Sequence, residues 1–366
     1  MLTVCTPPLF ARPIPQAYYL YYVGCTGIGP YNFASTQFQN LIYLAGYDPA
    51  VVPPTPGNCT DACVIHWGGK PQPTSSVVLD VSGISFAAQL LVFLLLGSFS
   101  DYGQAGRWVL FGSTFLSCLI GLCWITVRRA DQWQAALALF VIGGIAYNLA
   151  FSFFVAAHSK VARDLPEAHE SEEKVLEGLR TPAEHVKVDE KLRGMVGSMS
   201  NFVCDVGAVL TLVVAIGILK AVHSDASTED NTFSYSVIIA YSSTVWVVTA
   251  IPWFIWEQRR PAQILPRGTT YLTVGLKNVW QAVKEVRRLK QAFLYLVAYF
   301  IIGDALGTAA SIEGILQNEI IEFNNFQYNL ISILGFGTQG IGMIAIWFAV
   351  NKLKWSQKAC VAVLLV

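Results

Sequence analysis

Two carboxylates lie where an ordinary apolar helix carries none. Asp304 falls about midway along the apolar run 291–316, and Asp205 falls within 194–219, with Asn201 one helical turn earlier on the same face. A charge at the centre of an apolar span costs about 2.5–3.5 kcal/mol on insertion scales, so such residues face a cavity or a partner. The chemistry open to them is cation binding, either of a substrate's ammonium group or of a proton. The plainer alternative is a hydrogen bond to a neighbouring helix, or a carboxyl kept protonated. Asn148 in the run 133–157 and Asn32 just after Gly29-Pro30 add amide groups that serve equally to line a pathway or to join helices. No Lys or Arg lies inside these runs to pair with either acid; Arg128 and Lys220 stand at their ends.

Other chemistries find little support. Gly335-Phe336-Gly337-Thr338-Gln339-Gly340 spells GxGxxG, but it sits inside an apolar run with no preceding strand and no acid about 20 positions on. It reads as small-residue packing between helices rather than a dinucleotide cradle. His66, His158, His169, His185 and His223 lie in loops or at run ends, without metal-ligand spacing or an adjoining nucleophile. An enzyme is not expected, nor a metal or other cofactor. A formal net charge of zero also argues against nucleic acid as a partner.

The elements that must position these groups are membrane helices. Hydrophobic residues make up 54% of the 366 and charged residues only 13%, about half the share of a soluble domain. Mean hydropathy is +0.48. The reading is all-α: a polytopic bundle of about eight complete spans with a partial ninth, its partner the lipid bilayer. The start, MLTVCTPPLFARPIPQ, has only a short Pro-broken apolar patch, which is not the pattern of a cleaved signal peptide. Residues 17–45 form a first span broken at Gly24, Gly27, Gly29 and Pro30, a break tolerated only where protein or a cavity satisfies the freed backbone. A Pro/Gly-rich loop (47–78) follows, then spans at 80–98, 108–127, 133–157, 194–219, 234–256, 291–316 and 327–350. The last run, 359–366, is too short to cross, and the chain stops inside what would be a ninth span.

Three segments result: an amino-terminal six-span half (1–256) containing a charged loop (158–193), a basic linker (257–290), and an incomplete second half (291–366). Residues 170–179 of the charged loop suit a surface helix, and the rest reads as a solvated linker. In the basic linker Val279, Ala282, Val283, Val286 and Leu289 recur at helical spacing beside Lys284, Arg287, Arg288 and Lys290, the pattern of a helix lying on a membrane surface. With the amino terminus in the cytosol, cytosolic segments hold 20 of the 24 basic residues, as the positive-inside rule requires. That orientation places Cys59, Cys63 and the glycosylation sequon Asn58-Cys59-Thr60 on the opposite side, where a glycan or a disulfide can form.

Between the second and third spans lies Gly97-x3-Asp101 followed by Gly106-Arg107. This resembles the loop signature of the major facilitator superfamily, with Tyr102 and Trp108 in place of its flanking basic residues and two residues inserted before Gly106. Physically, Gly97 allows close helix approach and Asp101 can accept from Arg107 or from a helix amino terminus. The resemblance implies a turn that latches one conformation of two rocking helical halves, and a seventh span lining the central cavity. Gly97–Gly103 with Arg107-Trp108, the pair Tyr147-Asn148, Gly303-Asp304-Ala305-Leu306 and Gly314–Glu319 further resemble the autophagy-related protein 22 family of fungi. That likeness covers most of the chain from Ala17. It implies a vacuolar-membrane exporter of amino acids released by autophagy, working by alternating access with possible proton coupling. The alternatives are a truncated, non-transporting membrane scaffold and a facilitator of another small solute.

Overall fold

In hydrocarbon every backbone N–H and C=O must be satisfied internally, so runs this apolar fold as helices. The computed structural model describes residues 13–51, 63–100, 102, 105–224, 226–257, 270–286, 289–316, 324–353, 355 and 363. The helices are α1 (Pro13–Tyr22), α2 (Pro30–Ala45), α3 (Thr74–Leu96), α4 (Ala105–Cys123), α5 (Trp133–Ala156), α6 (His158–Arg163), α7 (Pro166–Leu176), α8 (Pro182–Ala221), α9 (Thr228–Trp256), α10 (Tyr271–Val286), α11 (Lys290–Leu316) and α12 (Asn325–Asn351). Among the described residues six segments are long and apolar enough to cross a bilayer: those of α3, α4, α5, α8, α9 and α12. The chain is an all-α multi-pass membrane protein.

The broken first span is real in outline. A π turn, Val23–Gly27, ends α1, and Gly29 and Pro30 open α2. Proline lacks an N–H and clashes with the preceding turn, so a helix restarts at it rather than running through it. The break divides the interior. One cluster gathers around α1 with Tyr18, Tyr21, Phe154, Trp246, Trp253 and Leu192. The other gathers around α2 with Phe38, Leu41, Trp124, Phe140, Leu212 and Ile238. Outward, Leu90, Leu91, Phe115, Leu210, Val248 and Ile251 are exposed, an apolar belt suited to lipid.

Two segments differ from their sequence reading. Within 47–78 the chain forms a β-hairpin, β1 (Val64–Trp67) antiparallel to β2 (Lys70–Pro73), with Val64 opposite Pro73. Gly68 and Gly69 both have positive φ, 60° and 80°, which a two-residue hairpin turn demands and glycine supplies. Helix α3 starts at Thr74 rather than 80. The charged loop 158–193 is helical instead of solvated linker: α6, α7 and the first turns of α8 occupy it. The cause is local. The Thr181 side chain accepts from Glu184 N while the Glu184 carboxylate accepts from Thr181 N, and Pro182 holds the first helical position, so α8 starts 12 residues before 194. Arg180 donates to Ser171 Oγ at 2.7 Å, and that hydroxyl is 2.9 Å from His185 Nδ1, pinning α7 to α8.

Candidate functional site

The aromatic face of α1 fixes the break in place. Tyr18 and Tyr21 stack on Phe154 of α5 at 4.4 and 4.2 Å between ring centroids, and Tyr21 Oη lies 2.7 Å from Thr114 Oγ1 on α4. Gly24 then lets the π turn approach α9, since a Cβ there would sit 2.7 Å from the Trp246 Cα. At Gly27 a Cβ would sit 3.0 Å from the Cys204 carbonyl of α8. The discontinuity in the first span therefore faces the stretch of α8 that carries Asn201 and Asp205.

There a polar cluster forms. Tyr22 Oη donates to Asn201 Oδ1 at 3.2 Å, Asn201 Nδ2 donates to its own helix at Gly197 O (2.9 Å), and Cys204 Sγ donates to Tyr22 O at 3.7 Å. Asp205 is 3% exposed, and its Oδ2 is enclosed with no hydrogen-bond partner among the described residues. Helix α12 lies across it: a Cβ built on Gly340 would sit 3.5 Å from the Asp205 Cβ. The end of the same seam is bonded, with Asn329 Nδ2 donating to Leu212 O at 3.1 Å and Asn325 Nδ2 to Ser234 Oγ at 2.9 Å. Among Gly335, Gly337 and Gly340, only Gly340 meets a neighbour within 4 Å among the described residues. That contact is of ordinary length and would admit a methyl group, so close small-residue packing is required at none of the three among the described residues.

The remaining candidates are placed elsewhere. Asp304 is exposed on α11, a helix that contributes to neither core cluster. Asn148 turns its amide back to Gly144 O on its own helix at 3.0 Å, and Asn32 is exposed on α2. Asn58 and Cys59 lie outside the described residues. Cys63 is disulfide-bonded, whereas Cys25, Cys118, Cys123 and Cys204 are free. No group of three His, Cys, Asp or Glu side chains suited to a metal occurs among the described residues.

The loop between α3 and α4 begins with a 3-10 turn, Gly97–Ser100, and Asp101 lies outside the described residues. Gly97 has helical φ and ψ, and a Cβ there meets nothing within 4 Å among those residues, so close helix approach is not its role. Gly106 lies in the first turn of α4. Arg107 finds a partner that no local spacing announces. Its Nη2 donates to Phe254 O at 2.6 Å and its Nε lies 3.1 Å from Glu257 Oε2, which ties the loop to the carboxy-terminal end of α9. A cation on those last free carbonyls suits the helix dipole. Burial pushes the Glu257 carboxyl above its ordinary value, with Arg107 and then Lys160 pulling the other way. On the other flank Asn278 Nδ2 of α10 donates to Tyr102 Oη at 3.2 Å, so the start of the linker and its helix α10 both hold this loop.

Comparison with known proteins decides the family. Residues 11–366 match the family model described as "Vacuole effluxer Atg22 like". The chain belongs to that family. Autophagy-related protein 22 of Pyricularia oryzae is 20% identical over 84% of this chain and 50% of its own length. Its counterpart in Botryotinia fuckeliana is 21% identical over 81% and 52%. The chain spans about half the length of these curated relatives. No solved structure matches. Members of the family are effluxers and not enzymes, in keeping with a site built of membrane-embedded amides and carboxylates. The residues the sequence reading missed here are Tyr22, Glu257 and Asn278. The first had a usable signal, the aromatic stripe Tyr18-Tyr19-Leu20-Tyr21-Tyr22 immediately before the break.

Proposed function

We propose that this protein is a vacuolar-membrane transporter that exports amino acids released by autophagic breakdown, by alternating access of two helical halves. The halves are 1–256 and 291–366, joined by the linker 257–290. The observation that carries the reading is the polar cluster Tyr22–Asn201–Asp205 at the break in the first span, in a chain of the vacuole-effluxer family. Discontinuous helices with polar groups near the bilayer midplane are where transporters of this general kind hold substrate and coupling ion. Asp304 and Asp205 divide those tasks. Asp304, exposed, receives the substrate's ammonium group. Asp205, buried beside α12, takes the coupling proton. Asn148 and Asn32 take secondary positions along the path.

The loop Gly97–Arg107 acts as the latch. Arg107 anchors it to α9 within the first half, and Asn278 ties it to the linker that leads to the second. The amino terminus is cytosolic, a reading supported by the distribution of basic residues and by the disulfide at Cys63 beside the β-hairpin. The experiment is efflux of radiolabelled amino acids from vacuoles with and without the protein, then with Asp304→Asn. Loss of efflux in that variant, with the protein still in the membrane, is expected. Wild-type efflux from Asp304→Asn would assign Asp304 to helix packing, and no difference between vacuoles with and without the protein would overturn the transport reading.

A further inference from the structure

The contact between α8 and α12 joins the two halves, and it is uneven along its length. At one end, near the β-hairpin side, Asn325 and Asn329 bond to α8 and α9. Midway, the Asp205 side chain faces α12 at Gly340, where an added Cβ would make van der Waals contact with it at 3.5 Å. Tyr22 of α1 and Cys204 of α8 itself are the titratable groups coupled to Asp205, and Gly340 of α12 lies beside it. No Lys, Arg, His, Asp or Glu faces it among the described residues. The nearest hydroxyl, on Tyr22, is already committed to Asn201.

An ionised carboxylate this deeply buried, with no cation facing it and its enclosed Oδ2 without a hydrogen bond among the described residues, is not a stable arrangement in a membrane interior. An ammonium group would have to sit about 2.8 Å from a carboxylate oxygen, whereas the gap between Gly340 of α12 and the Asp205 side chain is about that of one methyl group. A proton needs no such volume. We infer that Asp205 is a proton-binding site whose occupancy governs the α8–α12 seam: protonated, it packs against Gly340 and the seam closes; ionised, it must reach water and the seam parts. The covalent change is one O–H bond, formed on the Asp205 carboxylate with a proton taken from water on one side and broken by release to water on the other.

The direction of coupling rests on the transport reading and on the cytosolic amino terminus. With the hairpin side lumenal, the closed seam is the lumen-closed state, so an acid lumen loads Asp205 and licenses closure behind a bound substrate. Proton and solute then leave the lumen together.

Hydrogen exchange in the purified, membrane-reconstituted protein tests this without any substrate, so its outcome is separate from that of the efflux assay. The readout is exchange of the peptides covering 203–214 and 325–341, as the ratio of wild type to Asp205→Asn at the same pH, which cancels the intrinsic pH dependence of exchange. The neutral amide stands for the protonated acid. The expected ratio is near one at acid pH and rises by up to about tenfold per pH unit above the titration midpoint, as linkage to one proton requires. A ratio independent of pH overturns the proposal. Should Asp205→Asn fail to fold, Gly340→Leu, which wedges the seam apart, replaces it as reference. Wild-type exchange then approaches that of the wedged variant as pH rises, and a constant gap between them overturns the proposal equally.

Discussion

At the scale of single residues, the chain uses acids in three different settings. Asp304 is exposed, Asp205 is buried with its Oδ2 unpartnered among the described residues, and Glu257 is half-buried and paired with Arg107 at 3.1 Å. For Glu257, burial outweighs the guanidinium and the carboxyl is held above its ordinary value. A raised folded-state value means that the group's contribution to stability is greatest below the ordinary glutamate range and is lost as pH rises through the raised one. Glu257→Gln removes that titration while keeping a side chain that can accept from Arg107. Its melting temperature relative to wild type is therefore expected to move in the variant's favour between about pH 5 and about pH 8. Thermal melts of the two purified proteins at both ends of that range check the sign. A shift favouring wild type would mean that the Arg107 attraction exceeds the cost of burial.

At the scale of elements, what sets α8 apart is its start. The capping box Thr181/Glu184 carries helix through twelve residues that their charge alone marks as linker. Thr181→Ala removes one half of the box, a loss of about 0.5–2 kcal/mol of helix stability. Faster hydrogen exchange is expected over 182–193 and not over 194–219; uniform exchange across both would show that α7 and the bundle, rather than the cap, hold this stretch. The same cap shows where the sequence was legible and where it was not. The runs 108–127, 133–157 and 234–256 were readable because a bilayer sets both length and composition; they agree with α4 and α5 to within four residues, and α9 begins six residues before 234. The capping box Thr-Pro-Ala-Glu and the turn Gly68-Gly69 were equally visible as local signals, but both lie in stretches whose charge, Pro and Gly content reads as loop. The partners of Arg107 were beyond reach for a different reason. Phe254 lies 147 positions away, and no periodicity within a segment reports which segment it will meet. The cluster at Asp205 was half legible: Asn201 follows from helical spacing, whereas Tyr22 requires knowing that α1 crosses α8.

At the scale of the whole molecule, function depends on which end faces which compartment, and two separate features bear on it. One end carries Arg107, Glu257 and Arg193 with α6 and α7; the other carries the β-hairpin, Cys63 and the bonded foot of α12. Basic residues retained on the cytosolic side and a disulfide formed in an oxidising compartment are governed by unrelated physics, insertion energetics in one case and thiol chemistry in the other. Their agreement supports the proposed orientation, with the hairpin end in the lumen. The expected outcome in sealed, right-side-out vacuoles is that a membrane-impermeant thiol reagent added outside leaves Cys63 unlabelled, even after a permeant reductant has opened its disulfide. The same reagent should label a cysteine introduced at Glu177, in the exposed turn that follows α7. If Asn58 is glycosylated, the glycan should resist an externally added glycosidase for the same reason. Labelling of Cys63 from outside would invert the molecule, and with it the side from which Asp205 is loaded.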